Sequence, residues 1–195
     1  MRLALLLSAC LAVPGAAQQA TLLAPGPDTA FPADIGGAYA LTDHHGRARD
    51  RTDPDGHVQL VFFGYATCQA ICTVALPILS QVAADLTERG IGVTPLVITV
   101  DPDVDTVAAM GPALDEYAPG LLGLTGSQDA LADARAAFHV ERTALFTDPE
   151  GNVVYAHGAH IYVMDGDGGF LTLLPPILPP DRMVDIVAGY AEAPA

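Results

Sequence analysis

Cys68 and Cys72 lie four residues apart, where the apolar run Val61-Phe62-Phe63-Gly64 gives way to a helical pattern. His157 follows far downstream in Tyr155-Ala156-His157-Gly158. Two soft sulfur ligands and one imidazole suffice to hold a copper ion with three side chains. At i and i+4 on one helix the Cβ atoms would stand roughly 5–6 Å apart, whereas a disulfide wants about 3.8 Å. Either Cys68 belongs to the loop before the helix, or the pair is suited to bridging a metal. Both sulfurs fall near a helix N-terminus, whose field favours thiolate. Thiolate binds metal and also attacks disulfides, so copper binding and thiol–disulfide exchange both stay open here. A disulfide stapling one helical turn is the bland alternative, and so small a loop confers little entropic stabilisation.

His157 precedes a predicted buried strand, Ile161 to Met164, and strand ends are where sites gather in mixed α/β sheets. His160, three residues on, is its rival or a supporting partner. His44 and His45 read as solvated turn residues. Asp165, Asp167 and Gly169 imitate the start of a calcium loop, but the twelfth position is Pro176 where a glutamate is needed, so a hairpin turn is expected. Asp101-Pro102-Asp103-Val104-Asp105 reads as a strand exit followed by a helix N-cap.

The elements that must position these residues follow from periodicity and turn signals. Tyr39 to Thr42 and Val58 to Phe63 read as strands, with turns at Asp43-His44-His45-Gly46 and Asp53-Pro54-Asp55-Gly56. Apolar residues at Val74, Leu76, Ile78, Leu79, Val82, Ala83 and Leu86 predict a helix over Cys72 to Arg89, closed by Gly90. Pro77 should kink it or delay its start. Val93 to Val100 is a nearly continuous apolar run, as in a strand covered on both faces. A helix over Asp105 to Tyr117 is weakened by Gly111-Pro112. Leu121 to Leu124 is a short strand, and Ser127 to Phe138 a helix capped by Ser127. Leu145-Phe146 and Val153 to Tyr155 flank the turn Asp148-Pro149-Glu150-Gly151. Ile161 to Met164 and Phe170 to Leu173 flank Asp165-Gly166-Asp167-Gly168, and a helix over Asp181 to Tyr190 ends the pattern. Strand-helix-strand-helix-strand, then hairpins and a final helix, indicates an α/β fold: a mixed β-sheet flanked by helices, with an N-terminal β-hairpin extension.

The 195 residues suit one domain with a sizeable core. A formal charge of -15, with no lysine and scattered arginines, argues against a nucleic-acid partner. The acidity keeps an apolar chain soluble, and could also steer it toward a basic partner.

The start Met1-Arg2, the apolar run Leu3 to Val13 and the small residues Gly15-Ala16-Ala17 read as a signal peptide over 1–17. Pro14-Gly15 interrupt the run well short of the roughly 20 apolar residues a bilayer span needs, so no transmembrane helix is expected in the mature chain. Leu7-Ser8-Ala9-Cys10 also resembles a bacterial lipoprotein box, with lipid anchoring at Cys10 as the alternative. Gln18 to Pro32 is an Ala/Pro/Gly-rich linker, and 33–195 the folded domain. Cleavage would leave Cys68 and Cys72 as the only cysteines, which reads as a working pair rather than a disulfide framework.

Four ordered segments resemble one family. Phe62-Phe63-Gly64-Tyr65-Ala66-Thr67-Cys68-Gln69-Ala70-Ile71-Cys72 is similar to the Sco/SenC signature, with Gln69-Ala70 where Pro-Asp is usual. Val100-Asp101-Pro102-Asp103-Val104-Asp105-Thr106, Gly123-Leu124-Thr125-Gly126, and His157 followed by Ile161-Tyr162-Val163-Met164-Asp165 resemble its later motifs. The resemblance implies a thioredoxin-like fold and copper, Cu(I) or Cu(II), bound by Cys68, Cys72 and His157. It also implies a periplasmic metallochaperone, not an enzyme, that helps assemble the copper centre of cytochrome c oxidase. Its partners would be the copper-site subunit of that oxidase, other periplasmic copper carriers, or thiol reductants. The alternative is a thiol–disulfide oxidoreductase using Cys68 and Cys72. Such enzymes usually carry Cys-x-x-Cys and a proline beside the site, and Ala156 to His160 has none. Delivery of copper by ligand exchange leads us to expect an exposed site at the helix-start loop. Tyr65 and Asp101 are candidates for its outer shell.

Overall fold

In the computed structural model residues 34–66, 68 and 70–192 are described. The expected signal peptide, Cys10 and the linker over 18–32 lie outside them. Chain order gives strands β1 (Leu41–Asp43), β2 (Ala48–Arg49) and β3 (Val58–Gly64), helix α1 (Cys72–Glu88), strand β4 (Val93–Thr99), helix α2 (Val107–Tyr117) and strand β5 (Leu122–Thr125). Helix α3 (Gln128–Ala137), strands β6 (Arg142–Thr147), β7 (Val153–His157), β8 (Ile161–Met164) and β9 (Phe170–Leu174), and helix α4 (Pro180–Ala191) follow.

Seven strands form one mixed sheet in the order β2-β1-β5-β4-β3-β8-β9, and β6 pairs with β7 in a separate two-stranded sheet. The centre, β3, β4 and β5, is parallel, while β1, β8 and β9 join antiparallel. This is the α/β architecture expected, a mixed sheet flanked by helices, and its N-terminal hairpin is β1–β2. The β2 partner is only two residues long, Ala48 and Arg49, too short to register as a period-2 pattern.

The apolar run of β4 is buried from Pro95 to Thr99, which accounts for its lack of alternation: both faces are covered. Pro95 is tolerated because the β4–β5 pairing begins only at Leu96, so its missing N–H takes nothing from that ladder. Leu60, Phe62, Phe63, Leu76, Leu79 and Ile98 are among the fully enclosed core side chains, each worth about 1.5–3 kcal/mol of apolar burial. Helix α1 runs from Cys72 to Glu88 with Pro77 inside it, so the proline neither delays the start nor ends the helix.

The four Asp-x-x-Gly turns share one construction. In each the glycine N–H donates to the aspartate carbonyl (Gly46 to Asp43, Gly56 to Asp53, Gly151 to Asp148, Gly168 to Asp165). All four glycines have positive φ, between 71° and 94°, which glycine adopts without a Cβ clash. Each carboxylate also accepts a backbone N–H four residues on, the side-chain turn that makes Asp favoured here. Asp165 therefore closes the β8–β9 hairpin, as its sequence indicated.

Candidate metal and thiol site

Strand register alone brings the three candidate residues to one edge. β8 runs antiparallel to β3, with Phe62 opposite Ile161. His157, four residues before Ile161, therefore lies beyond the carboxyl end of β3, where the chain leaves through Tyr65 and Ala66 to Cys68. Cys72 is the first residue of α1, after the N-cap Ile71, and Cys68 sits in the preceding loop, its N–H donating to the Tyr65 carbonyl at 3.2 Å.

The donor atoms of Cys68, Cys72 and His157 all lie within 4.8 Å of one another. Cys72 Sγ is 3.7 Å from His157 Nε2, and both cysteines are free thiols. His157 Nδ1 lies 3.0 Å from the Gly158 carbonyl oxygen. A carbonyl only accepts, so Nδ1 carries a proton, and Nε2 is the nitrogen turned toward sulfur. Phe62 and Tyr65 hold the imidazole edge-on, at centroid distances of 6.0 and 5.8 Å.

The two sulfurs share a proton. Cys68 is pulled below the ordinary thiol range, first by the hydrogen bond from Cys72 and further by His157, against the opposing effect of burial. Cys72 is pushed up by that same bond, by burial and by the negative charge on Cys68. One ionisation is made easy and the second hard, a thiol–thiolate pair beside an imidazole.

The expectation of an exposed site is corrected. Cys68 is 4% and Cys72 0% exposed, and His157 is half-buried. Cys72 points inward because it opens α1 directly beneath Gly64: a Cβ on Gly64 would stand 3.1 Å from Cys72 Sγ and 2.7 Å from the Phe62 ring. His160 is exposed and lies outside the donor cluster.

Of the two outer candidates, Tyr65 touches the site. Its hydroxyl accepts the Tyr155 N–H at 3.2 Å, tying the cysteine loop to β7. Asp101 is buried, and the carboxylate that reaches the cysteine loop is that of Asp105. The Asp105 carboxylate, 1% exposed, accepts the Ala66 N–H at 3.1 Å and the Thr99 hydroxyl at 2.7 Å. It is therefore no helix cap; Thr106 holds the N-cap position of α2. Burial pushes Asp105 up to about 6 despite these bonds. The sequence signal available was an aspartate four residues after Asp101 in a predicted helix start, which a cap explains equally well. His44 is likewise corrected: its Nδ1 accepts the Gly123 N–H at 3.0 Å, fastening β1 to β5.

Among the described residues, no helix is long and apolar enough to cross a membrane.

Comparison with known proteins gives a consistent result. The SCO1/SenC family pattern matches residues 27–192. "Protein SCO2 homolog, mitochondrial" of Bos taurus is 40% identical over 136 residues, covering 69% of this chain and 51% of the relative. The chain thus spans about half the length of that curated relative. The structure of Bradyrhizobium japonicum ScoI with copper bound superimposes with a TM-score of 0.71 at 30% identity, over 80% of this chain and 99% of the other. Yeast Sco1 with copper bound gives a TM-score of 0.71 at 25% identity, over 83% and 91%. The chain belongs to the SCO1/SenC family.

Proposed function

We propose that this protein is a copper metallochaperone, exported to the bacterial periplasm, which helps assemble the copper centre of cytochrome c oxidase. Cys68, Cys72 and His157 hold the cargo ion. The observation that carries this reading is the meeting of two sulfurs and one imidazole nitrogen within 4.8 Å. The donor set suits Cu(I) as it stands, and Cu(II) with one further ligand. The proton on Nδ1 leaves Nε2 free to ligate, and the Gly158 carbonyl and the two aromatic rings hold the imidazole in place, the kind of support metal-binding histidines use. Copper-bound relatives of the same fold support the reading. The recipient would be the copper-site subunit of the oxidase, with periplasmic copper carriers or thiol reductants supplying metal or electrons.

The shared proton between Cys68 and Cys72 favours a second reading, thiol–disulfide exchange, since a thiolate beside a thiol is poised to attack and resolve disulfides. A copper titration of the reduced protein separates the two. The expected result is one copper per chain, with His157→Ala weakening copper binding while leaving the dithiol/disulfide potential largely unchanged. If His157→Ala leaves copper affinity untouched while Cys68→Ser abolishes a disulfide reductase activity, the oxidoreductase reading replaces the metallochaperone.

A further inference from the structure

Cys68, Cys72 and His157 are not the only side chains that converge. Asp53, Asp55 and His57 also bring one donor atom each within 4.8 Å of one another. They belong to the turn that enters β3 at Val58, whereas the thiols lie beyond its last residue, Gly64. The length of the strand, roughly 20 Å at about 3.3 Å per residue, separates the two clusters.

The turn itself does not require this convergence. Its closure uses Gly56 and one oxygen of Asp53, Oδ1, which accepts the Asp55 and His57 N–H groups, both at 3.0 Å. The fifth positions of the three sister turns are Arg47, Asn152 and Gly169, so an imidazole is no part of the construction. Asp53 is 94% enclosed, being only 6% exposed, yet its second oxygen, Oδ2, has no hydrogen-bond or ion-pair partner. That oxygen is not sealed from solvent either. A buried carboxylate oxygen left without a partner calls for an explanation. The Asp55 carboxylate and the His57 ring likewise make no hydrogen bond, and the ion pairs among the described residues engage neither.

The cluster is held and open. The Asp53 N–H donates to the Gly166 carbonyl at 2.8 Å, and a Cβ on Gly166 would stand 2.6 Å from the Gly56 oxygen. The β8–β9 turn therefore backs this one closely. Gly92 leaves the space the imidazole occupies, since a Cβ there would stand 2.8 Å from His57 Nε2. His57 lines a cleft of about 420 Å³ together with Arg89 and Glu192. The cation of that cleft, Arg89, is paired with Asp185 at 3.0 Å.

We propose that Asp53, Asp55 and His57 form a second metal site, for a divalent transition ion of the zinc class. Two carboxylate oxygens and one imidazole nitrogen, with no sulfur, suit such an ion and not Cu(I). Zinc holds these donors at roughly 2.0–2.2 Å, which sets them about 3.4 Å apart around a tetrahedron. Asp55 is exposed and free to close the remaining distance, and water completes the coordination. A formal charge of -15 favours the cation. The site shares no donor with the thiols, so it stands whether or not they take copper.

The test uses the full folded protein, reduced and labelled with nitrogen-15. Zinc chloride is titrated while the imidazole resonances of His57 and His157 are followed by NMR, so that each cluster reports separately. The expected result is a saturable change at His57. Asp55→Ala, which removes a side chain that bonds to nothing, weakens the His57 response at least tenfold. Glu150→Gln, at the matching position of the Asp148 turn, leaves it unchanged. Equilibrium dialysis of His57→Ala against zinc shows one bound ion fewer per chain than the wild type. A His57 signal that stays still or climbs without saturation overturns the proposal. So does a response that survives Asp55→Ala, or one that Glu150→Gln weakens equally.

Discussion

The buried carboxylate of Asp105 holds the backbone of Ala66. The bond spans 39 positions of sequence, at 3.1 Å from the Ala66 N–H, and the same carboxylate takes the Thr99 hydroxyl at the end of β4. Through this pair the edge of the central sheet fixes the loop that leads to Cys68. The loop begins between two anchors, Asp105 on one side and the Tyr65 hydroxyl against β7 on the other.

Asp105 predicts how stability depends on pH. Its folded-state value of about 6 lies above that of an unfolded aspartate, so between about pH 4 and pH 6 the folded state holds more protons. Stability from this group is present below pH 4 and falls as the pH rises through 6, by an amount on the order of 3 kcal/mol. Asp105→Asn keeps a carbonyl to accept from Ala66 and Thr99 and removes the titration. Urea unfolding of both proteins across pH 4 to 7 should therefore show the wild type losing stability relative to Asp105→Asn as pH rises. Parallel curves would refute the assignment.

Gly64 predicts a steric effect on the thiols. A methyl there meets Phe62 and Cys72 Sγ, both fully enclosed, so neither can swing aside. Gly64→Ala should cost about 1–3 kcal/mol, the usual penalty of overpacking. It should also change the rate at which Cys72 reacts with a thiol reagent in the folded protein. Denaturant melts and thiol-labelling kinetics together check it; an unchanged melt with unchanged labelling would mean the space above Cys72 is larger than the structure has it.

The cysteine pair predicts an asymmetric titration. The hydrogen bond from Cys72 is the largest influence holding Cys68 in the thiolate form, ahead of that from His157. Thiolate absorbance in the ultraviolet, followed against pH, should show one thiol ionising below the ordinary range and the other well above it. Cys72→Ala should move the Cys68 midpoint upward by removing the donor. A midpoint that stays in place would transfer the role to His157 or to the backbone.

Sequence alone carried the fold and the choice of candidate residues a long way, for local reasons. The four Asp-x-x-Gly turns were legible because each is closed by its own aspartate and glycine. The helix from Cys72 was legible from its 3.6-residue period, and β4 from its unbroken apolar run. Sulfur and imidazole declare their chemistry by type, so Cys68, Cys72 and His157 stood out before any geometry. Tertiary structure decided what depends on register and depth. The β3–β8 pairing sets His157 above the thiols, 85 positions from Cys72, and the packing of α1 under Gly64 buries sulfurs that looked destined for the surface. The part played by Asp105 was invisible beforehand for a physical reason. A charged residue announces its charge in sequence, but only the surrounding fold determines whether that charge meets water, a backbone N–H, or another charge of the same sign.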